Sequence, residues 1–398
     1  MNNYGIPLEI PENFSNWDNR RRNEYFESKY YSNEKLFEDV KAKLLKYDAI
    51  FIDEVQDFKY EWLRLIKDNF LKTNGEYVLF GDEKQNIFKQ KMDTDRKPRT
   101  NVPGQWNQTL KKTFRLSNKA AQIAEKFQKQ FFDNRYDPDE IEVVQDDLFE
   151  KFVYLNIQTK DYEKIFSFVK TNIEQIKAHP NDCCILAEKI DTLKEMDSLI
   201  RHTTNQNTQT MFETKEVDMK LFFEYLYSDE KKYIENAAEK FIGDTNKKLN
   251  QLVKALSYWE YLNHPSAEKR FSDTISNSDF DTDSFRKWFN EYAKSKKELT
   301  RSSETEKFQY RDTIDIIRKG KKRQFRMNPG TIKLSTIHSF KGWEIKNLFL
   351  IIENDPDDFN DYISAELIYT AITRTRNNLF IINLNNQHFH NFFSNLNI

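Results

Sequence analysis

Glycine is scarce in this chain: eight occur in 398 residues, at positions 5, 75, 81, 104, 243, 320, 330 and 342. None opens the Gly-x-x-x-x-Gly-Lys-Ser/Thr pattern whose backbone N–H groups cradle phosphates, and the one Gly-Lys pair, Gly320-Lys321, runs on into Lys322. Cysteine is scarcer still. Cys183 and Cys184 are adjacent in an apolar run, which excludes a disulfide framework or a cysteine zinc site and reads as core. A reducing, cytoplasmic setting is the expectation that follows. No apolar stretch approaches the roughly 18 residues of a membrane span. The first residues, from Met1 to Phe14, lack a basic segment followed by an apolar one, so neither secretion nor membrane insertion is expected. There is no excess of one charge either: 62 basic and 64 acidic residues leave a net charge of -2. Net charge therefore argues nothing about nucleic acid, although a neutral total is compatible with a local basic groove.

What is present is a soluble-type composition, with 38% hydrophobic and 32% charged residues, long enough for two or three domains. Residues 1–47 are polar and aromatic and read as helices and loops. Ala49 to Ile52 is a short apolar run ending at Asp53, and Tyr77 to Phe80 is another ending in Gly81-Asp82. Both read as buried strands. Between them Trp62, Leu65, Ile66 and Phe70 share one helical face. Strand, helix, strand implies a parallel α/β sheet, whose strand C-termini are where such sheets bind ligands. Residues 91–112 read as a loop, and Ser117 as the cap of a helix presenting Ala120, Ile123 and Phe127. Residues 132–149 are acidic and read as a linker. Strands are expected at 151–157, 183–187, 332–335, 348–352 and 379–382, and helices at 161–177, at 192–202 and around Leu367, Ile368 and Ala371. From 216 to 327 strand signals fade into a charged, aromatic helical pattern, read as an insertion with a polar loop near 272–283.

The chemistry concentrates at Asp53-Glu54-Val55-Gln56-Asp57 and at Gly81-Asp82-Glu83-Lys84-Gln85. A carboxylate at a strand end can hold Mg²⁺ against phosphate oxygens, and the next one can orient or deprotonate a water. An acidic turn on its own is more often a solvated feature; two such turns after two apolar strands are not ordinary surface. The basic run 318–323 reads equally as a phosphate contact or a solvated loop, and Phe88 and Trp106 read as core packing, with base stacking as the other possibility.

The segment at 53–57 (DEVQD) resembles motif II of UvrD/Rep-type superfamily-1 helicases, and that at 81–88 (GDEKQNIF) resembles their motif III. Residues 110–118 are similar to motif IV, 336–344 to motif V and 368–376 to motif VI, all in the family's order between 49 and 383. The resemblance implies a RecA-like P-loop NTPase fold: a partial first domain over 1–112, a second over 113–215 and 328–398, and a helical insertion over 216–327 between its two parts. It implies ATP and Mg²⁺ as cofactors and single-stranded or partly duplex DNA as the partner, with RNA equally compatible. By position, Asp53 matches the Mg²⁺-binding carboxylate, Glu54 the catalytic base and Gln85 the γ-phosphate sensor. Arg115 and Arg374 match the two arginines directed at the phosphates, Gly342 and Glu344 the motif V residues beside the nucleotide, and Thr336 and His338 those beside the nucleic-acid backbone. Tyr369 falls in the motif VI helix, and His338 taken alone would read as a core histidine.

Two departures qualify the resemblance. The phosphate loop is missing, only 52 residues precede Asp53, and Lys89-Gln90-Lys91 stands where the family has a Trp-Arg-Gly stretch. The chain is thus expected to be a fragment, one part of a split motor whose partner chain or missing N-terminal segment carries the P-loop, or a degenerate homologue. The rival functional reading is a non-catalytic nucleic-acid-binding or assembly subunit.

Overall fold

The computed structural model describes residues 4–14, 17, 19–94, 96–102, 111–132, 135–144, 150–215, 217–218, 221, 304–353 and 364–396. They divide into two compact units, one of Met1–Leu193, Asn207–Gln209 and Met327–Ile398, the other of Lys194–Gln206 and Thr210–Arg326. Most of the insertion expected at 216–327, including the polar loop near 272–283, lies outside the described residues, as does Trp106. None of the described helices is long and apolar enough to cross a membrane.

The first unit opens with α1 (Asn19–Phe26), followed by β1 (Tyr47–Ile52), α2 (Tyr60–Phe70) and β2 (Leu71–Leu79). β1 and β2 pair in parallel with Ile50 opposite Tyr77 and Ile52 opposite Leu79. The side chains of one face of this pair, Ile50, Ile52, Tyr77 and Leu79, pack with Val55, Leu63 and Ile66. Of the α2 face expected at Trp62, Leu65, Ile66 and Phe70, only Ile66 joins this cluster; Leu63 is the helix's buried apolar residue, while Trp62 meets Tyr31 and Phe58 and Phe70 meets Phe37. Parallel strands need such a crossover helix, and its placement brings both strand C-termini to one edge.

Next come β3 (Lys112–Thr113), α3 (Asn118–Phe131), β4 (Glu142–Val143), β5 (Phe152–Ile157), α4 (Tyr162–Gln175) and β6 (Cys183–Ala187). α5 (Ile190–Thr204), β7 (Gln209–Thr210) and α6 (Glu304–Gln324) follow, then β8 (Lys333–Thr336), the single turn α7 (Ile337–Phe340) and β9 (Ile345–Glu353). α8 (Ala365–Ile372), β10 (Thr375–Leu384) and α9 (Gln387–Ser394) complete the chain. Six strands form one sheet in the order β5-β10-β9-β6-β8-β7, and the pairs from β5 through β8 are parallel. The chain is therefore α/β. β6, β9 and β10 are buried almost end to end, as expected of central parallel strands covered on both faces. Phe349 and Phe380 stack at 4.4 Å between ring centroids in the middle of that core.

Four local expectations change. The runs at 49–52 and 77–80 are strands but not buried ones, because a sheet of two strands leaves Phe51 and Phe80 exposed. The acidic stretch 132–149 is not simply a linker, because Glu142 and Val143 pair in parallel with Lys112 and Thr113, and Asp139 donates its N–H to Gln128 Oε1 at 2.8 Å. The run 318–323 is the last turns of α6, not a loop. Phe88 is 51% exposed and does not join the core. The cysteines do: both are fully buried in β6, and burial pushes the Cys183 thiol up to about 12 and the Cys184 thiol higher.

Candidate functional site

The site is built where β1 and β2 end. Asp53 is exposed just past β1, and its Oδ1 accepts the N–H of Glu54 at 2.8 Å. Glu54 itself sits in the left-handed region, with φ 54° and ψ 42°. For a residue with a Cβ that conformation costs roughly 1–2 kcal/mol, so the turn holds its carboxylate at the expense of local stability. Gln56 Nε2 donates to Glu54 Oε2 at 2.6 Å, while Gln56 Oε1 accepts the N–H of Asp82 at 3.1 Å. One glutamine thus ties the turn after β1 to the turn after β2. Gly81 makes this approach possible: a Cβ there would stand 2.7 Å from both Gln56 Oε1 and Val55 Cγ1.

The second turn carries a relay. Asp82 accepts the N–H of Lys84 on Oδ1 at 2.9 Å and Gln85 Nε2 on Oδ2 at 2.8 Å. With its amide so oriented, Gln85 presents Oε1 to the Arg374 guanidinium, which donates to it at 2.6 Å. Arg374 lies at the end of α8, held by its own Nε donating to the Thr370 carbonyl at 3.2 Å. It is 2% exposed. Burial lowers its pKa from the ordinary guanidinium value, and the neighbouring Arg115 lowers it further, against the pull of Glu54 and Asp82. Arg115, Glu54 and Asp82 thus all lie within electrostatic reach of the Arg374 guanidinium. Burial lifts the Asp82 carboxyl above the ordinary range, opposed by Lys84 and by the bond from Gln85.

Arg115 follows β3, where Thr113 Oγ1 accepts the N–H groups of Arg115 and Leu116, both at 3.2 Å. Ser117 caps α3 as its sequence predicts, accepting the N–H of Ala120 at 3.3 Å, and its hydroxyl also donates to the Asn377 carbonyl at 3.2 Å. These bonds anchor the arginine's backbone beside the start of β10. Its exposed side chain pairs with Glu344 at 2.8 Å, and Arg376 approaches the same carboxylate at 3.5 Å. Glu344 follows a turn that runs from Phe340 to Trp343, closed by a 3.0 Å backbone hydrogen bond. Lys341 has φ -55° and ψ 134° and Gly342 has φ 86°, the geometry of a type II turn. Gly342 thus serves the backbone.

Lys341 and Asp57 are the residues the sequence reading missed. The Lys341 ammonium, 6% exposed, donates to both Asp57 oxygens at 2.7 and 2.8 Å and to the Gln85 carbonyl at 3.0 Å, and stands 3.4 Å from Glu54 Oε2. Burial raises the Asp57 carboxyl; Lys341 opposes the rise and Glu54 adds to it. The lysine bridges the turns after both small-sheet strands and the turn before β9. Replacing Lys341 with Met leaves Asp57 without its cation and is expected to cost about 1–3 kcal/mol. The thermal unfolding midpoint measures it, and adding Asp57→Asn should recover most of the loss.

Lys84 was also missed. It is 1% exposed, and its ammonium meets Asp139 at 2.9 Å and Glu83 at 3.2 Å, while Lys97 reaches Glu83 at 2.6 Å. Burial pushes the Glu83 carboxyl up, but the two lysines together bring it below its ordinary value. Removing one partner of a buried ion pair costs about 3–5 kcal/mol. Lys84→Met is therefore expected to lower the urea midpoint more than any exposed lysine substitution; a variant as stable as the parent contradicts the pairing.

The remaining expected residues lie elsewhere on the same unit. Thr336 caps α7, accepting the N–H of Ser339 at 3.2 Å and donating to Ser339 Oγ at 3.0 Å. His338 is half-buried, its ring 6.0 Å from that of Phe88. Tyr369 is buried and accepts from Gln128 Nε2 at 3.2 Å, a core role. The geometry thus gathers Glu54, Gln85, Arg374, Arg115 and Glu344, with Asp53 at the rim. Among the described residues no group of three or more His, Cys, Asp or Glu is arranged to hold a metal on its own. A single strand-end carboxylate suits a Mg²⁺ that takes its other ligands from phosphates and water.

A scan against protein-family models matches none, and a search of curated proteins returns no match.

Proposed function

We propose that the chain is the phosphate-sensing and arginine-bearing part of a UvrD/Rep-type ATP-driven nucleic-acid motor with a RecA-like fold. The observation that carries this reading is the 2.6 Å bond from the Arg374 guanidinium to Gln85, beside Glu54 and within the field of Arg115. A general base, a polar sensor and two fork-shaped cations in one place are the groups phosphoryl transfer uses. Glu54 takes the proton of the attacking water. Gln85 carries the state of the γ-phosphate to Arg374 and, through its carbonyl, to Lys341. The arginines stabilise the charge that spreads over the transferring group. Mg²⁺ arriving with ATP, held in part by Asp53, would neutralise phosphate charge. Thr336 and His338 take the backbone of a single strand, and the phosphate cradle comes from another polypeptide segment.

The test is hydrolysis stimulated by single-stranded DNA, measured for the chain alone and together with the polypeptide encoded directly upstream. The reading expects activity in the combined sample only. No hydrolysis in either arrangement, together with strand binding indifferent to ATP, favours the rival binding subunit.

A further inference from the structure

We propose that the outer face of the last turns of α6 is a second nucleic-acid contact, a cationic stripe that grips the phosphodiester backbone without reading sequence. From Ile316 to Trp343 the chain has eight basic residues and not one Asp or Glu, although its total charge is near zero. Such a segregated run is the electrostatic footprint that net charge conceals. The helix sorts these cations onto two sides. On the inner side Arg318 forms a two-pronged pair with Glu213 at 2.6 and 2.8 Å, and Lys321 donates to Thr210 Oγ1 at 2.8 Å. Tyr310, Ile314 and Phe325 turn the same way, with Ile314 and Phe325 each 5% exposed and the Tyr310 hydroxyl bonded to Asp218. Glu213 is fully buried and also holds Lys194 at 2.6 Å, so this side of the helix is fixed and electrically satisfied.

The other side is not. Lys319, Lys322 and Arg323 are exposed at positions three and four apart, and Arg326 continues the stripe just past the helix end. No carboxylate among the described residues pairs with Lys319, Lys322 or Arg323. Gly320, where an added Cβ would meet only open space, keeps the surface between them low. Repulsion between uncompensated like charges one turn apart disfavours the helix, although cations at a helix C-terminus recover part of that. A polyanion relieves the repulsion by releasing its own counterions.

An anionic membrane fits less well. A surface-binding helix buries an apolar face in the bilayer, and the apolar face of α6 is already used within its own unit. Ile316, 69% exposed, is the sole large apolar side chain on the outer face among the described residues.

The inference rests on the nucleic-acid reading above but not on hydrolysis. Its test is the salt dependence of binding to labelled 30-nucleotide single-stranded and duplex DNA, by fluorescence anisotropy without nucleotide. The full chain is compared with K319Q/K322Q/R323Q and with K164Q/K170Q/K177Q, which removes three exposed lysines of α4 and the turn after it. The stripe variant should lower the slope of log affinity against log salt by about 2 on single strands or about 3 on duplex. The strand type whose change reaches its own expected value, while the other keeps the parental slope, is the form gripped; both changing means both are gripped. The control should keep the parental slope, and all three should share one circular dichroism spectrum. A stripe variant with the parental slope overturns this proposal and leaves the motor reading standing. A parent chain that binds neither DNA at low salt overturns both. Loss of binding to phosphatidylserine vesicles with DNA binding unchanged also overturns it.

Discussion

With the phosphate loop supplied, Arg374→Ala is expected to lower the turnover number by about 10³–10⁵ while leaving DNA affinity close to the parent's. The guanidinium is buried, bonded to Gln85 at 2.6 Å and braced by the Thr370 carbonyl. It is held in place before any nucleotide arrives, and such preorganisation is what makes an electrostatic contribution large. Arg374→Lys should not restore the rate. Lysine lacks the planar, rigid fork that aims separate donors at Gln85, at the Thr370 carbonyl and at a phosphoryl oxygen in fixed directions. On the proposed reading the loss belongs in kcat rather than KM, because there the arginine meets the developing charge. Turnover within threefold of the parent, with the fold intact, contradicts the assignment.

Glu54→Gln should reduce hydrolysis by about 10²–10⁴ and lengthen the ATP-dependent residence of the chain on single-stranded DNA. Glutamine keeps the shape and can still accept from Gln56, which now sits 2.6 Å from the carboxylate, but it cannot take a proton from water. Nucleotide is then bound and not cleared, so the strand-bound state accumulates. Residence time after ATP addition, followed in a stopped-flow chase, measures this. A Glu54→Gln chain whose residence ignores ATP supports the binding-subunit alternative.

The contrast between what the sequence disclosed and what it hid has a physical basis. Strands β6, β9 and β10 were legible because central parallel strands are continuous apolar runs; β1 and β2 show the same kind of run although their two-stranded sheet leaves Phe51 and Phe80 exposed. Ser117 and the spacing in α3 were legible because caps and helical faces are local. Lys341 was not, since its partner Asp57 is 284 positions away and nothing local marks which of 62 cations will be buried. Lys84 is the same case: inside an acidic turn it reads as a solvated charge, and only Asp139, arriving from a stretch that looked like a linker, makes it an interior one. The sorting of α6 into a neutralised side and a bare side likewise depends on Glu213, over a hundred residues upstream. Resemblance named both Arg115 and Glu344 but not the ion pair between them, which on the proposed reading has to open before Arg115 reaches a phosphate.

The claim on which the rest depends is that Gln85, Arg374 and Arg115 surround one γ-phosphate. An ATP analogue with a photoreactive group on that phosphate, crosslinked to the chain in the presence of its phosphate-loop polypeptide and mapped by mass spectrometry, tests it directly. The account predicts label on the peptides containing Gln85, Arg115 or Arg374, competed away by ATP. Competable label confined to other peptides, such as those of α4 or α6, would contradict it.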